Sequence, residues 1–131
     1  MAAELTYDYV VVRVVPRVER GERFNVGVAV LCRPRRFLAV RTWLDETKFA
    51  ALAPGCDREL VREQLAALEA IAAGDPAAGP MAALTQAERF HWITAPSSTI
   101  IQASRVHSGL TGDPQVTLDK LFAELVAPVQ G

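Results

Sequence analysis

An α+β fold is what three observations in this 131-residue chain predict. The first third is dense in β-branched and aromatic residues, broken by connections too short for parallel crossovers. Two later segments carry apolar residues at helical spacing behind aspartate caps. Half of the residues are apolar against 22% charged, the balance of one packed core. The expected architecture is an antiparallel or mixed sheet of about five strands, with two main helices packed on one face. The length suits a single domain over residues 1–131.

Residues 7–17, Tyr-Asp-Tyr-Val-Val-Val-Arg-Val-Val-Pro-Arg, make the first predicted strand. Pro16 marks its exit because proline cannot donate to a ladder. A charged connection around Gly21 leads to a second strand over 24–33. Its two-residue period puts Phe24, Val26, Val28, Val30 and Cys32 on one face and Asn25, Gly27, Ala29 and Leu31 on the other. A tight turn at Arg33-Pro34-Arg35 introduces a third strand over 36–43. Asp45 caps a short helix over Glu46 to Leu52, stopped by Pro54-Gly55.

Asp57 caps a longer helix to about Ala73, with Val61, Leu65, Leu68 and Ala72 as its buried stripe. The small residues of Ala77 to Ala83 read as a surface loop. Thr85-Gln86-Ala87-Glu88 has the form of a capping box for one helical turn. Residues 91–96 and 98–104 read as two short strands flanking Pro96-Ser97. Asp113-Pro114 opens the last helix, whose stripe is Leu118, Leu121, Phe122, Leu125 and Val126.

Composition narrows the function classes. A net charge of -1 gives no global field for a polyanion, so any phosphate contact needs a local patch. No apolar run approaches the roughly 20 residues of a membrane helix, and the start lacks a signal-peptide pattern. Cys32 and Cys56 read as two reduced structural thiols, which points to the cytoplasm. No cofactor or metal is expected, because His91, His107 and the cysteines have no ligand spacing.

The candidate binding residues fall in two groups. Arg13 and Arg17 share strand parity with Tyr7 and Tyr9, so guanidinium and phenol can face outward together, beside Asn25. Both belong to a crowd of arginines in the opening meander, with Arg20, Arg23, Arg33, Arg35, Arg36 and Arg41, for which the alternative is a solvated face paired to Asp8, Glu19 and Glu22. The second group is the polar stretch Ser97, Ser98, Thr99, Gln102, Ser104, Arg105 and His107, able to hold a small anion or to serve as turn chemistry. His107, placed in a polar loop, is the one residue positioned as a general base, whereas His91 reads as a structural histidine wedged between Phe90 and Trp92. The nucleophile-elbow and phosphate-loop spacings are both absent, so no enzyme signature emerges. Gly27 inside a strand predicts a bulge or a close backbone approach.

Three blocks carry a family resemblance. They are Tyr7 to Tyr9 with Arg13 to Glu22 and Asn25 to Val28; Arg89 to Trp92 with Ala95-Pro96 and Ser98 to Gln102; and Val106 to Leu110. Together they resemble a bacterial family of uncharacterised small proteins, the domain of unknown function numbered three thousand and thirty-seven. Ala103-Ser104-Arg105 departs from the more proline-rich spacing expected there. Members are typically encoded beside a HipA-like kinase homologue. The resemblance therefore implies a non-enzymatic partner or regulatory subunit of that protein. A nucleic-acid-binding module on the Arg/Tyr face is the first alternative, and a small hydrolase or transferase centred on His107 the second. An open sheet edge also leaves room for a homodimer.

Overall fold

In the computed structural model, which describes residues 4–95 and 100–128, strand β1 (Leu5–Val14) lies at the centre of the sheet. Its unbroken Val10-Val11-Val12 run is buried from both sides, which is why β-branched residues occupy both parities. Strand β2 (Phe24–Cys32) pairs antiparallel along one edge of β1, and β3 (Phe37–Thr42) pairs antiparallel with β2. Two short strands share the other edge. β4 (Ile101–Ala103) runs beside Val12–Val14, and β5 (His107–Thr111) beside Leu5–Tyr9. All pairings are antiparallel, and the α+β class with five strands is as the sequence predicts.

Helices α1 (Glu46–Leu52), α2 (Arg58–Ala73), α3 (Gln86–Thr94) and α4 (Pro114–Leu125) complete the fold. The aspartate caps act where expected. Asp45 accepts from the amides of Thr47 and Lys48, Asp57 from Leu60, and Asp113 from Gln115. Gly74 ends α2 in the left-handed region, φ 68°, which glycine adopts without steric cost. Among the described residues no helix is long and apolar enough to cross a membrane.

The two main helices do not share a face. Ala29 and Leu31 pack with Ala72, Phe90 and Ile93, whereas Val28 and Val30 pack with Leu118, Phe122 and Val126. Consecutive residues of a strand point to opposite faces, so α2 and α3 cover one side and α4 the other. The reason is β2 itself, apolar at both parities from Val26 to Cys32 and in need of two covers.

The predicted alternation of β2 also breaks. The register slips between Val12 and Arg13, leaving Val26 as the extra residue of a bulge. Phe24 and Val26 consequently face α2, while Val28 and Val30 face α4. Gly27 sits at this kink, where a Cβ would lie 3.0 Å from Thr42 Cγ2 and 3.1 Å from the Arg41 carbonyl. The bulge expected there is present.

Where a strand over 91–96 was expected, α3 runs through Thr94, and Pro96 lies outside the described residues. Both arms of the Thr85–Glu88 capping box form, and the helix continues because Arg89, Phe90 and Ile93 fall together on its buried face. Six residues of mixed polarity do not separate a helix from a strand. Arg89 holds the neighbouring helix end. Its Nη1 donates to the carbonyls of Ile71 and Ala72 at 2.9 and 2.7 Å, and its Nε to that of Leu84 at 3.1 Å. The stretch read as a loop over 77–83 is part of a 3-10 helix, Pro76–Ala83, kinked at Gly79. The predicted strand over 98–104 shrinks to β4, with Ser98 and Thr99 outside the described residues. β5 replaces the polar loop in which His107 was placed.

Candidate functional site

The α4 face is only partly covered. α4 lies over β2 and β3 through Leu118, Phe122 and Val126, and Arg41 spans its flank. Arg41 places its guanidinium 4.1 Å from the Phe122 ring centre and pairs with Asp119 at 3.1 Å. Beside the helix, over β1 and its edge strands, the alternation of β1 sends Tyr7, Tyr9, Val11 and Arg13 to this same face.

Three rings form a continuous row there. Tyr7 and Tyr9 stack with centroids 6.0 Å apart, and Tyr9 stacks on His107 at 5.0 Å with 24° between planes. The register explains the contact, since His107 stands directly across the ladder from Tyr9 and Gly109 from Tyr7. A Cβ on Gly109 would lie 2.9 Å from Tyr7 Cε1 and 3.0 Å from its Oη. The missing side chain is the space in which the Tyr7 ring lies. Burial, and secondarily the adjacent Tyr9, push the Tyr7 phenol above its ordinary value.

Arg13 lies farther along the same face of β1, beyond Val11. Its Nε donates to Asn25 Oδ1 at 3.3 Å, and Asn25 Nδ2 donates to the Leu125 carbonyl at 3.0 Å. Asn25 thereby ties the β1–β2 ribbon to the last turn of α4. Partial burial, then the neighbouring Arg23, pull the Arg13 guanidinium below its usual value. No carboxylate among the described residues pairs with Arg13.

The other candidates distribute unevenly. Gln102 faces Arg13 across the β1–β4 ladder, and Arg105 is exposed between the two edge strands. Arg17 does not join the row: β1 ends at Val14, and Arg17 borders a groove with Arg20, Glu22 and the Pro54-Gly55-Cys56 turn. Strand parity loses its meaning once the chain leaves the strand. Ser98 and Thr99 lie outside the described residues. Two of the expected arginine–carboxylate pairings form: Asp8 takes Arg33 at 3.1 Å and Glu22 takes Arg20 at 2.7 Å.

His107 has no hydroxyl or carboxylate hydrogen-bonded to its imidazole among the described residues. Ser108 Oγ donates to Asp8 and Ser104 Oγ to the Arg105 carbonyl, so both nearby serines are engaged elsewhere. His91, expected to be wedged between aromatic neighbours, is exposed on α3 because the helix turns Phe90 inward and Trp92 outward. Cys32 is buried and Cys56 half-buried, both as free thiols. No group of three metal-ligating side chains converges among the described residues.

Residues 9–126 match the family model described as Protein of unknown function (DUF3037). The chain belongs to this family. The DUF3037 match takes in Tyr9, Arg13, Asn25 and His107, and begins two residues after Tyr7. No curated protein and no solved structure matches the chain. Sequence reasoning on this DUF3037 member missed Gly109, whose signal was a glycine directly followed by strand-forming Leu110 and Thr111.

Proposed function

We propose that the chain is a non-enzymatic binding protein, a partner or regulatory subunit of a HipA-like kinase homologue, and that it docks through the open half of the α4 face. The observation that carries the docking surface is the half-exposed Tyr7–Tyr9–His107 row with Arg13 beside it, free of any described carboxylate. Rigid aromatic rings and an arginine are the side chains that supply most binding energy at protein interfaces. Their order is fixed before any partner arrives, by Gly109 and by the Asn25 link to α4. The identity of the partner rests on the family resemblance, whose members are typically encoded beside such a kinase homologue.

Nucleic acid is the weaker occupant for the same face. Stacked rings suit bases, but five of the twelve arginines, Arg20, Arg33, Arg41, Arg58 and Arg62, are each paired to a carboxylate, and the net charge of -1 supplies no general field for phosphate. Purification of the tagged protein from its host without nuclease separates the two readings. A stoichiometric kinase homologue in the eluate is the expected result. Nucleic acid that salt strips away would favour the alternative, and a protein eluting alone would overturn both.

A further inference from the structure

We infer that Arg13 and Arg23 form a subsite for a phosphoryl group carried by a side chain of the docking partner. The inference rests on the reading of the α4 face given above and names the chemistry the partner brings to it. The register pairs Arg13 with Asn25 and Val14 with Phe24, so Arg23, the residue before β2, is the diagonal neighbour of Arg13 across the ladder. The two guanidiniums feel each other: after burial, Arg23 is the second cause that pulls Arg13 below its usual value. Neither pairs with a carboxylate among the described residues.

A second arginine pair shows how the fold balances such charges. Arg58 meets Glu46 at 3.0 Å, and Arg62 meets both Glu46 and, at 3.9 Å, Glu59, so two cations face two carboxylates. Arg13 and Arg23 have no such counterpart among the described residues. A half-buried guanidinium beside a like charge carries a cost that an arriving anion removes. Asn25 holds the receiving group in place. Its Nδ2 is taken by the Leu125 carbonyl, which keeps Oδ1 on Arg13 Nε and leaves both Nη groups for the anion. Two positive charges are matched by a phosphoryl group, which carries nearly two negative ones on three acceptor oxygens able to span both guanidiniums. A single carboxylate supplies one.

N-acetyl-phosphoserine amide and N-acetyl-glutamate amide test the charge requirement, because they share a backbone and differ in the anionic group. The full chain, nitrogen-labelled, is titrated with each at low ionic strength and followed through the arginine Nε–H resonances in NMR. The phosphoserine probe is expected to shift Arg13 and Arg23 and to bind at least about tenfold tighter than the glutamate probe. Arg23→Gln, at an exposed position outside the core, should erase that difference, and Arg17→Gln should leave it unchanged. The partner is then tested itself: phosphatase treatment of the HipA-like kinase homologue should weaken its binding to the wild-type chain about tenfold and leave its binding to Arg23→Gln unaltered. Equal affinity for the two probes, no shift of either arginine at millimolar probe, or undiminished probe binding by Arg23→Gln would each overturn the inference. Partner binding that is lost in Arg13→Ala yet indifferent to phosphatase would overturn it while the docking face stands.

Discussion

The two faces of the sheet are built differently. On the α2/α3 side, aliphatic residues and phenylalanine from four strands and three helices close into buried clusters, and the one buried charged residue among the described ones, Arg89, is spent on capping carbonyls. On the α4 side a single helix of 12 residues covers β2 and β3, and Tyr7 and Tyr9 of β1 pack half-buried at the margin of its cluster. Where the cover ends, the side chains change from aliphatic to Tyr7, Tyr9, His107 and Arg13. The first face is organised for stability and the second keeps ordered, half-open chemistry beside a stable core. Variants that damage one face while leaving the other intact test that division.

The largest effect is expected on the closed face. Arg89→Met removes the donors to three carbonyls at the ends of α2 and the 3-10 segment and should cost about 2–4 kcal/mol in urea unfolding. A loss below about 1 kcal/mol would mean that water takes over the capping. The open face should respond to Gly109→Val, whose Cβ meets the Tyr7 ring. About 1–3 kcal/mol of overpacking is expected, together with loss of the near-ultraviolet circular dichroism of the stacked tyrosines.

A smaller change sharpens the boundary between the faces. Asn25→Ala cuts the tie to the Leu125 carbonyl and should cost about 1 kcal/mol, seen as roughly fivefold faster amide exchange in the last turn of α4. The smallest effect is alkaline. The Tyr7 phenol is raised in the folded state, so its contribution is intact below the ordinary value of 10.0 and is lost as pH rises through the folded value. Thermal melts should hold their midpoint up to about pH 10 and then decline, and Tyr7→Phe should flatten that decline.

Much of the scaffold was legible in the sequence because its signals are local. Asp45, Asp57 and Asp113 each fix a helix start through a side-chain bond to an amide two or three residues on. The β1–β2–β3 meander follows from short connections. What the sequence concealed is non-local. Gly27 signalled a bulge, but that Val26 is its extra residue, and that Phe24 and Val26 therefore face away from Val28, emerges only from the pairing with β1. The helical stretch from His91 passes for a strand until the α2 carbonyls that Arg89 caps are in view. Parity along β1 correctly groups Tyr7, Tyr9 and Arg13, but His107 joins them only through β5, and Arg17 departs because the strand ends first.

The most direct test of the docking face compares two arginines on the same ribbon. Calorimetric titration of the HipA-like kinase homologue would use the wild-type chain, Arg13→Ala and Arg17→Ala. Arg13 stands beside the aromatic row, and Arg17 lies in the groove near Cys56. The account predicts at least about tenfold weaker binding for Arg13→Ala and a change within about twofold for Arg17→Ala. Undiminished binding by Arg13→Ala, or a loss confined to Arg17→Ala, would contradict it.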